Sequence, residues 1–139
     1  MPEPASPELI ARVSDNFEWW NGGEPQLMLH EYAEDAELDV SAVFTDTPPL
    51  RGHDGIRHQL DEWWDTWEGL RIDPLEVVEV GRGRFVVEVR MWGKGKRSGA
   101  EVDQRFAFVY TFRESDNLIA RAQLFPGMEA ALSSAAAAG

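Results

Sequence analysis

The sequence predicts an α+β domain in which three N-terminal helices lie across a curved, mixed but mostly antiparallel sheet and enclose a pocket. Two observations support this prediction. Apolar residues recur at helical spacing in three segments of the first half of the chain. The stretch 84–125 instead alternates apolar and polar residues, is rich in Val and Phe, and is broken twice by turn-forming residues, which indicates three consecutive strands.

Each helical segment has a start or stop signal in the sequence. Ser6 is a favourable N-cap and Pro7 a favourable first residue for the first helix, which ends at Gly22 because glycine favours helix termination. A second, short helix follows Pro25, and Gly52 opens the third helix. The apolar stripe of the third helix consists of Ile56, Leu60, Trp63 and Trp67.

Two further strands are expected before the three consecutive ones. Residues 36–44 form the first strand, and residues 71–80 form the second, which starts at a sheet edge because Pro74 cannot donate a backbone hydrogen bond. One helical turn is expected at 127–132. The three consecutive strands are 84–92, 101–112 and 118–125.

Opposite charges predict how the first two of the three consecutive strands pair. If Glu88 lies opposite Arg105, then Arg90 lies opposite Asp103. Both cross-strand pairs are then attractive, by about a few tenths of a kcal/mol each. A shift by one residue would mix the charged and apolar faces, so this register is the favoured one.

The next hairpin has a two-residue loop at 115–116, which predicts that Tyr110 pairs with Arg121 and Phe108 with Gln123. This pairing puts Arg121 and Gln123 on the inner, mostly apolar face of the sheet. The outer face then carries small and apolar side chains, and a second copy of the chain is their simplest cover, so we predict a homodimer through this face. The outer-face residues are Ala107, Val109, Thr111, Ala120, Ala122 and Leu124.

Composition limits the classes of function. The length of 139 residues predicts one domain, 1–132, followed by a frayed, alanine-rich tail at 133–139. The net charge of −12 argues against a nucleic-acid partner, because an acidic surface repels phosphates. Cysteine is missing, and neither a membrane-spanning apolar run nor a secretory leader is evident, so we expect a cytoplasmic protein without a membrane partner.

Three segments resemble a known family. Tyr-Ala-Glu-Asp-Ala-Glu-Leu at 32–38, Arg-Gly-His-Asp-Gly-Ile-Arg at 51–57 and Ala-Gln-Leu-Phe at 122–125 resemble motifs of the SnoaL-like branch of the nuclear transport factor 2-like superfamily. Polyketide cyclases, ketosteroid isomerases and limonene epoxide hydrolases are members. The resemblance implies a conical, cystatin-like fold with a pocket between helices and sheet, and commonly a dimer through the outer sheet face.

The resemblance does not carry an activity with it. The positions that similar ketosteroid isomerases use for a tyrosine and two aspartates fall on Asn16, Val40 and Phe108. None of these side chains can act as a base or an acidic oxyanion donor. We therefore predict that steroid-isomerase activity is absent.

The epoxide hydrolase positions of the family also lack the expected residues. They fall on Val89, Met91 and Gln123, and the acidic residue of the cyclases again corresponds to Gln123. A shift of the alignment by one or two residues would bring in Asp39 or Asp103 instead. Strand alternation places both of these aspartates away from the interior.

The candidate site is a small-molecule pocket without an assigned catalytic residue. An inward Arg121 would suit a carboxylate or enolate, and inward glutamines would suit a carbonyl, although a purely structural polar network remains the alternative. His53 and His58 lack metal-ligand spacing, and no cofactor motif is present, so we expect neither metal nor cofactor. The predicted ligand-binding residues are Tyr32, Trp63, Trp67, Gln104, Phe108, Tyr110, Arg121 and Gln123.

Two classes of function stay open at this point. The first is an enzyme of the isomerase or cyclase kind, which transfers protons on a hydrophobic or aromatic ligand. The second is a non-catalytic ligand-binding or dimerisation module with the same fold. A buried acid or base within hydrogen-bonding reach of the pocket would favour the enzyme.

Overall fold

A computed structural model describes residues 3–138 of the chain and the side chains of residues 4–136. It contains seven strands, three α-helices and one 3-10 helix. The elements are β1 (Glu3–Pro4), α1 (Pro7–Asn21), the 3-10 helix (Pro25–Glu31), β2 (Tyr32–Asp39), β3 (Leu50–Arg51), α2 (Gly52–Thr66), β4 (Trp67–Glu79), β5 (Arg84–Gly95), β6 (Glu101–Phe112), β7 (Ile119–Phe125) and α3 (Met128–Ala138).

The seven strands form one sheet in the order β1-β4-β5-β6-β7-β2-β3. All neighbouring pairs are antiparallel except β2 and β7, which run parallel. Because α1, the 3-10 helix and α2 pack on one face of this sheet, the predicted mixed α+β architecture with three N-terminal helices is confirmed. A fourth helix, α3, packs against β5, β6 and β7 and was expected only as a single turn.

Helix α1 begins where its sequence signals predict. The Ser6 side chain accepts a hydrogen bond from the Leu9 backbone amide at 3.2 Å, and Pro7 is the first helical residue. Val13, Phe17 and Trp20 recur at three- and four-residue intervals and are buried against the sheet. The helix therefore forms one wall of the interior.

The pairing of β5 with β6 differs from the prediction by two residues. Glu88 lies opposite Ala107, and Arg90 lies opposite Arg105. The predicted charge pairs still meet, but diagonally: Arg90 donates two hydrogen bonds of 2.8 Å to Asp103, and Glu88 lies 4.0 Å from Arg105. A shift of two residues keeps every side chain on its predicted face, so only the partners change.

The predicted pairing of β6 with β7 was wrong by one residue over most of the strand. Phe112 does lie opposite Ile119, but Thr111 lies opposite Arg121, which leaves Ala120 as an extra, bulged residue. Beyond this bulge the faces of β7 are exchanged, so Tyr110 pairs with Ala122 rather than with Arg121. The sequence did not reveal the bulge because alanine fits a regular strand equally well.

Residues 133–138 are helical, contrary to the prediction of a frayed tail at 133–139, and the last residue of that predicted tail lies outside the described residues. Helix α3 continues to Ala138, and it buries Ala131 and Ala135 on the outer face of the sheet. There they pack in a cluster with Val86, Ala107 and Val109. The apolar patch on which the homodimer prediction was based is therefore covered in part by the chain's own helix, and the dimer itself stays a prediction.

Candidate functional site

A strongly apolar cavity with a volume of about 280 Å³ lies between α2 and the inner face of the sheet. This apolar cavity is the candidate site. Its walls come from the loop after β2, from α2 and from four strands. The lining residues are Val43, Phe44, Trp63, Trp67, Leu70, Ile72, Met91, Val102, Gln104, Phe106 and Leu124.

Two tryptophans and a phenylalanine form the aromatic side of the apolar cavity. Trp63 lies on the last turn of α2, and Trp67 follows as the first residue of β4, so both project toward the same space. Phe44 lies across the opening, with its ring centroid 6.1 Å from that of Trp63. Because all three rings are partly exposed while Ile72 and Leu124 are buried, the cavity opens at its aromatic end.

Gln104 is the single polar residue among those that line the apolar cavity. It lies on the inner face of β6, opposite Met91, and is exposed at the opening. Within the described part of the chain its side-chain amide forms no hydrogen bond. An unengaged amide can both donate to and accept from a ligand, so Gln104 can orient one polar group of a bound molecule.

The predicted residues Tyr32, Phe108 and Tyr110 lie deeper, in the packed core rather than on the cavity wall. The Phe108 ring packs against Phe17, with centroids 5.9 Å apart, and stacks on Tyr110. Burial raises the pKa of both tyrosines well above the usual range, and their hydroxyls interact with each other. They stay protonated at neutral pH, and their contacts are those of a structural pair.

Arg121 and Gln123 do not point into the cavity, which corrects the predicted orientation. The exchanged faces of β7 place Ala122 and Leu124 inside and these two residues outside. The Arg121 guanidinium donates to Glu37 at 2.9 Å on the neighbouring strand and lies 3.9 Å from Asp39. The predicted carboxylate-binding arginine is therefore engaged in a surface ion-pair network.

The two aspartates that could have served as acids also lie outside the cavity. Asp103 is exposed and bound to Arg90, which lowers its pKa. Burial raises the pKa of Asp39, but hydrogen bonds from the Ser41 side chain and backbone lower it by more, so the pKa lies below its usual value. Both carboxylates are thus ionised at neutral pH, and neither lines the cavity.

Asn16, which the sequence resemblance aligned with the isomerase tyrosine, is buried in α1. Neither of its amide atoms has a hydrogen-bond partner among the described residues. It lines a second, much smaller cavity of about 20 Å³, next to Tyr110 and Phe112. Asn16 is not among the residues that line the apolar cavity, so it is not part of the candidate site.

The histidines serve structural contacts. His53 Nε2 lies 2.9 Å from the Tyr32 carbonyl oxygen, and His58 Nε2 lies 3.9 Å from Glu62. Across residues 3–138, no three histidine, aspartate or glutamate side chains come together as metal ligands would. None of the helices in this range has the length and apolarity needed to span a bilayer.

Trp63, Trp67 and Gln104 are the predicted site residues that the structure brings together. Phe106 was missed as a site residue. It lies two residues from both Gln104 and Phe108 on the same face of β6, so the alternation pattern had already indicated that it points inward. Val43 and Phe44 were missed because they lie in an irregular segment. No local pattern indicates that this loop folds back over the opening.

Solved structures with the same fold cover almost the whole chain. A ketosteroid isomerase-like protein from Catenulispora acidiphila, in complex with trimethylamine, has a TM-score of 0.71 at 15% identity, covering 94% of each chain. TerC, co-crystallised with polyporic acid, also has a TM-score of 0.71, at 20% identity, covering 95% of this chain and 99% of its own. SalBIII, an epoxide hydrolase/cyclase-like enzyme of pyran ring formation in salinomycin, has a TM-score of 0.70 at 16% identity, covering 88% and 92%.

These structures show the fold of the chain, which is the ketosteroid isomerase-like α+β fold. The family model for the SnoaL-like domain matches residues 13–122, so the chain belongs to the SnoaL-like family. The recognised resemblance is thereby confirmed. None of the curated proteins matches the sequence at a significant level.

Proposed function

We propose that this protein binds a small, neutral, aromatic molecule in the apolar cavity, with Gln104 hydrogen-bonded to one polar group of the ligand. The observation that carries the proposal is the lining itself, which combines Trp63, Trp67 and Phe106 with a single uncharged amide. Ligand pockets typically join a mostly apolar wall to a few polar groups that fix orientation. TerC, which has the same fold, was co-crystallised with polyporic acid, so binding of a small organic molecule is compatible with this fold.

The residues that line the cavity favour ligand binding without proton transfer. General acid–base catalysis needs a titratable side chain within hydrogen-bonding reach of the substrate. The lining residues include no Asp, Glu, His, Lys, Arg or Tyr. For the same reason a charged ligand would have no counter-charge inside the cavity, and desolvation would oppose its entry.

The size of the cavity restricts the ligand further. A volume of about 280 Å³ lies at the lower end of the roughly 300–1,000 Å³ typical of small-molecule pockets. One or two fused rings suit such a space better than a four-ring steroid. We therefore expect no turnover of a 5-ene-3-ketosteroid, and turnover above background that a Gln104 substitution abolishes would contradict the proposal.

The direct test compares 2-naphthol with naphthalene, which differ by one hydroxyl group. Binding to the wild-type protein should quench tryptophan fluorescence, because two indoles line the cavity. Gln104→Leu should weaken 2-naphthol binding by about fivefold, the equivalent of one neutral hydrogen bond, and leave naphthalene unaffected. Equal losses for both ligands would show that Gln104 does not orient the hydroxyl.

A second variant tests whether the cavity is the binding place at all. Val102→Trp adds a large ring to a half-buried lining residue and should abolish binding of both ligands. Leu75→Trp introduces the same ring at a residue that is 46% exposed and lies outside the cavity, so it serves as the matched control. Unchanged binding in Val102→Trp would refute the proposal.

A further inference from the structure

A second aromatic cavity lies on the other side of Trp67. It has a volume of about 140 Å³ and is walled by three indoles, those of Trp20, Trp64 and Trp67. These three residues are called the tryptophan cage below. Glu68 and Lys96 also reach the rim of the cavity, and both are exposed.

The cage is built around one fixed ring. Trp20 is fully buried, and its indole Nε1 donates a hydrogen bond of 2.8 Å to the Leu70 carbonyl oxygen. Trp64 meets Trp20 edge to face, with ring centroids 5.4 Å apart and planes at 78°. Trp20 therefore forms the closed back of the cavity, and Trp64 and Trp67 provide its accessible indole surface.

Core packing does not account for Trp64. Its side chain leaves the residue 37% exposed, while the adjacent Trp63 already contributes to the apolar cavity from the same helix. Adjacent helical residues point about 100° apart, so the pair serves two different cavities. An exposed tryptophan at the edge of an open aromatic corner is typical of a binding surface.

The surroundings of the cage favour a cation. Helix α2 ends beside it, at Thr66, and the last turns of a helix carry partial negative charge from free carbonyl groups. Asp61, Glu62 and Asp65 lie in the last two turns of α2, where acidic residues destabilise a helix. The last turn of α2 has no basic residue. Within the described residues none of these carboxylates has a Lys or Arg within 4.0 Å. These three carboxylates line a neighbouring cleft together with His58 and Arg97, so Glu68 supplies the negative charge at the cage itself.

We infer that the tryptophan cage is a binding site for a small methylated ammonium group, of the kind carried by choline. Indole faces attract cations through the ring quadrupole, and quaternary ammonium ions suit aromatic cages because they need no hydrogen-bond partner. Glu68 adds a negative charge at the rim, and Lys96 opposes binding from the other side. The cage shares Trp67 and Leu70 with the apolar cavity, but Trp64, Glu68 and Lys96 lie outside that cavity, so variants at these residues test the cage without testing the proposed function.

The test compares choline with 3,3-dimethylbutan-1-ol, which has the same shape but no charge, by isothermal titration calorimetry in an amine-free buffer. Choline should bind at least about tenfold more tightly than the alcohol, because the cation–π attraction needs the charge. Equal affinities, or no binding of choline, would overturn the inference.

Three variants at the cage and one control outside it locate the site. Trp64→Leu should weaken choline binding at least about fivefold, whereas Trp92→Leu, the same change outside the cage, should leave it unaltered. Glu68→Gln should weaken choline binding and Lys96→Met should strengthen it, each about twofold, since both charges lie at an exposed rim. Wild-type affinity in Trp64→Leu, or tighter binding in Glu68→Gln, would refute the assignment.

Discussion

Replacing Val109 by glutamate tests whether α3 is part of the folded domain. Val109 lies on the outer face of β6, is 2% exposed, and packs in one cluster with Ala131 and Ala135 of α3. A glutamate at this position would place its carboxylate beneath the helix. The cluster is apolar, and the guanidinium of Arg84 at its edge already donates a hydrogen bond of 3.1 Å to the Ala135 carbonyl oxygen, so the new charge would have no free partner.

The expected loss in the free energy of unfolding follows from the cost of burying an unpaired charge. Leaving a buried charge without its partner destabilises a protein by about 3–5 kcal/mol, a large part of the roughly 5–15 kcal/mol that stabilises a typical domain. With a urea m-value of about 2 kcal/mol per molar, the unfolding midpoint of Val109→Glu should fall by about 2 M. Tryptophan fluorescence reports the transition because the interior contains Trp20.

Thr111→Glu is the matched control for this experiment. Thr111 lies two residues further along the same strand and on the same face, but between Arg84 and Arg121 on the neighbouring strands. A glutamate there meets two guanidinium groups at a half-exposed position, so its effect should stay within about 0.5 kcal/mol. If Val109→Glu were no more destabilising than this control, α3 would not cover the sheet as the structure describes.

Three further predictions concern assembly, pH and binding. Light scattering should show that the wild type is a dimer at micromolar concentration. Thr111→Glu should be a monomer of unchanged stability, because Thr111 lies on the predicted dimer face. A monomeric wild type would contradict the dimer prediction. Burial raises the pKa of Tyr32 and Tyr110, so the unfolded state alone ionises above pH 10. The free energy of unfolding should therefore fall as pH rises, by about 1.4 kcal/mol per tyrosine at pH 11. Urea titrations of Tyr110→Phe should show half of this loss, and the full wild-type loss in that variant would contradict the prediction. Arg121→Ala should leave 2-naphthol binding unaltered, because this arginine lies outside the cavity, and weaker binding would show otherwise.

Much of the fold could be predicted from local signals. The N-cap at Ser6 and the glycine at Gly52 mark helix starts that the structure confirms, and β6 has the predicted bounds. These features depend on residues close in sequence, where capping and alternation act directly. Helix α3 was underestimated because alanine runs have no apolar stripe, and its stability comes from a sheet face that is distant in sequence.

The site was predicted only in part, for a topological reason. Trp63 and Trp67 were found from helical periodicity, and Gln104 from the alternation of β6. Arg121 was misplaced because a single bulge exchanges the faces of β7, and a strand period of two makes every later residue change side. A bulge that depends on the neighbouring strand leaves no reliable signal in the sequence of its own strand.

Trp67 has a further consequence for the two cavities it separates. Its indole is a wall of both the apolar cavity and the tryptophan cage, so neither space can change shape at this ring without changing the other. Occupancy on one side that shifts the ring would alter the affinity on the other side, and thermodynamic linkage requires the effect to be equal in both directions. If both proposed ligands bind, their affinities would therefore be coupled through this one side chain at the junction of α2 and β4.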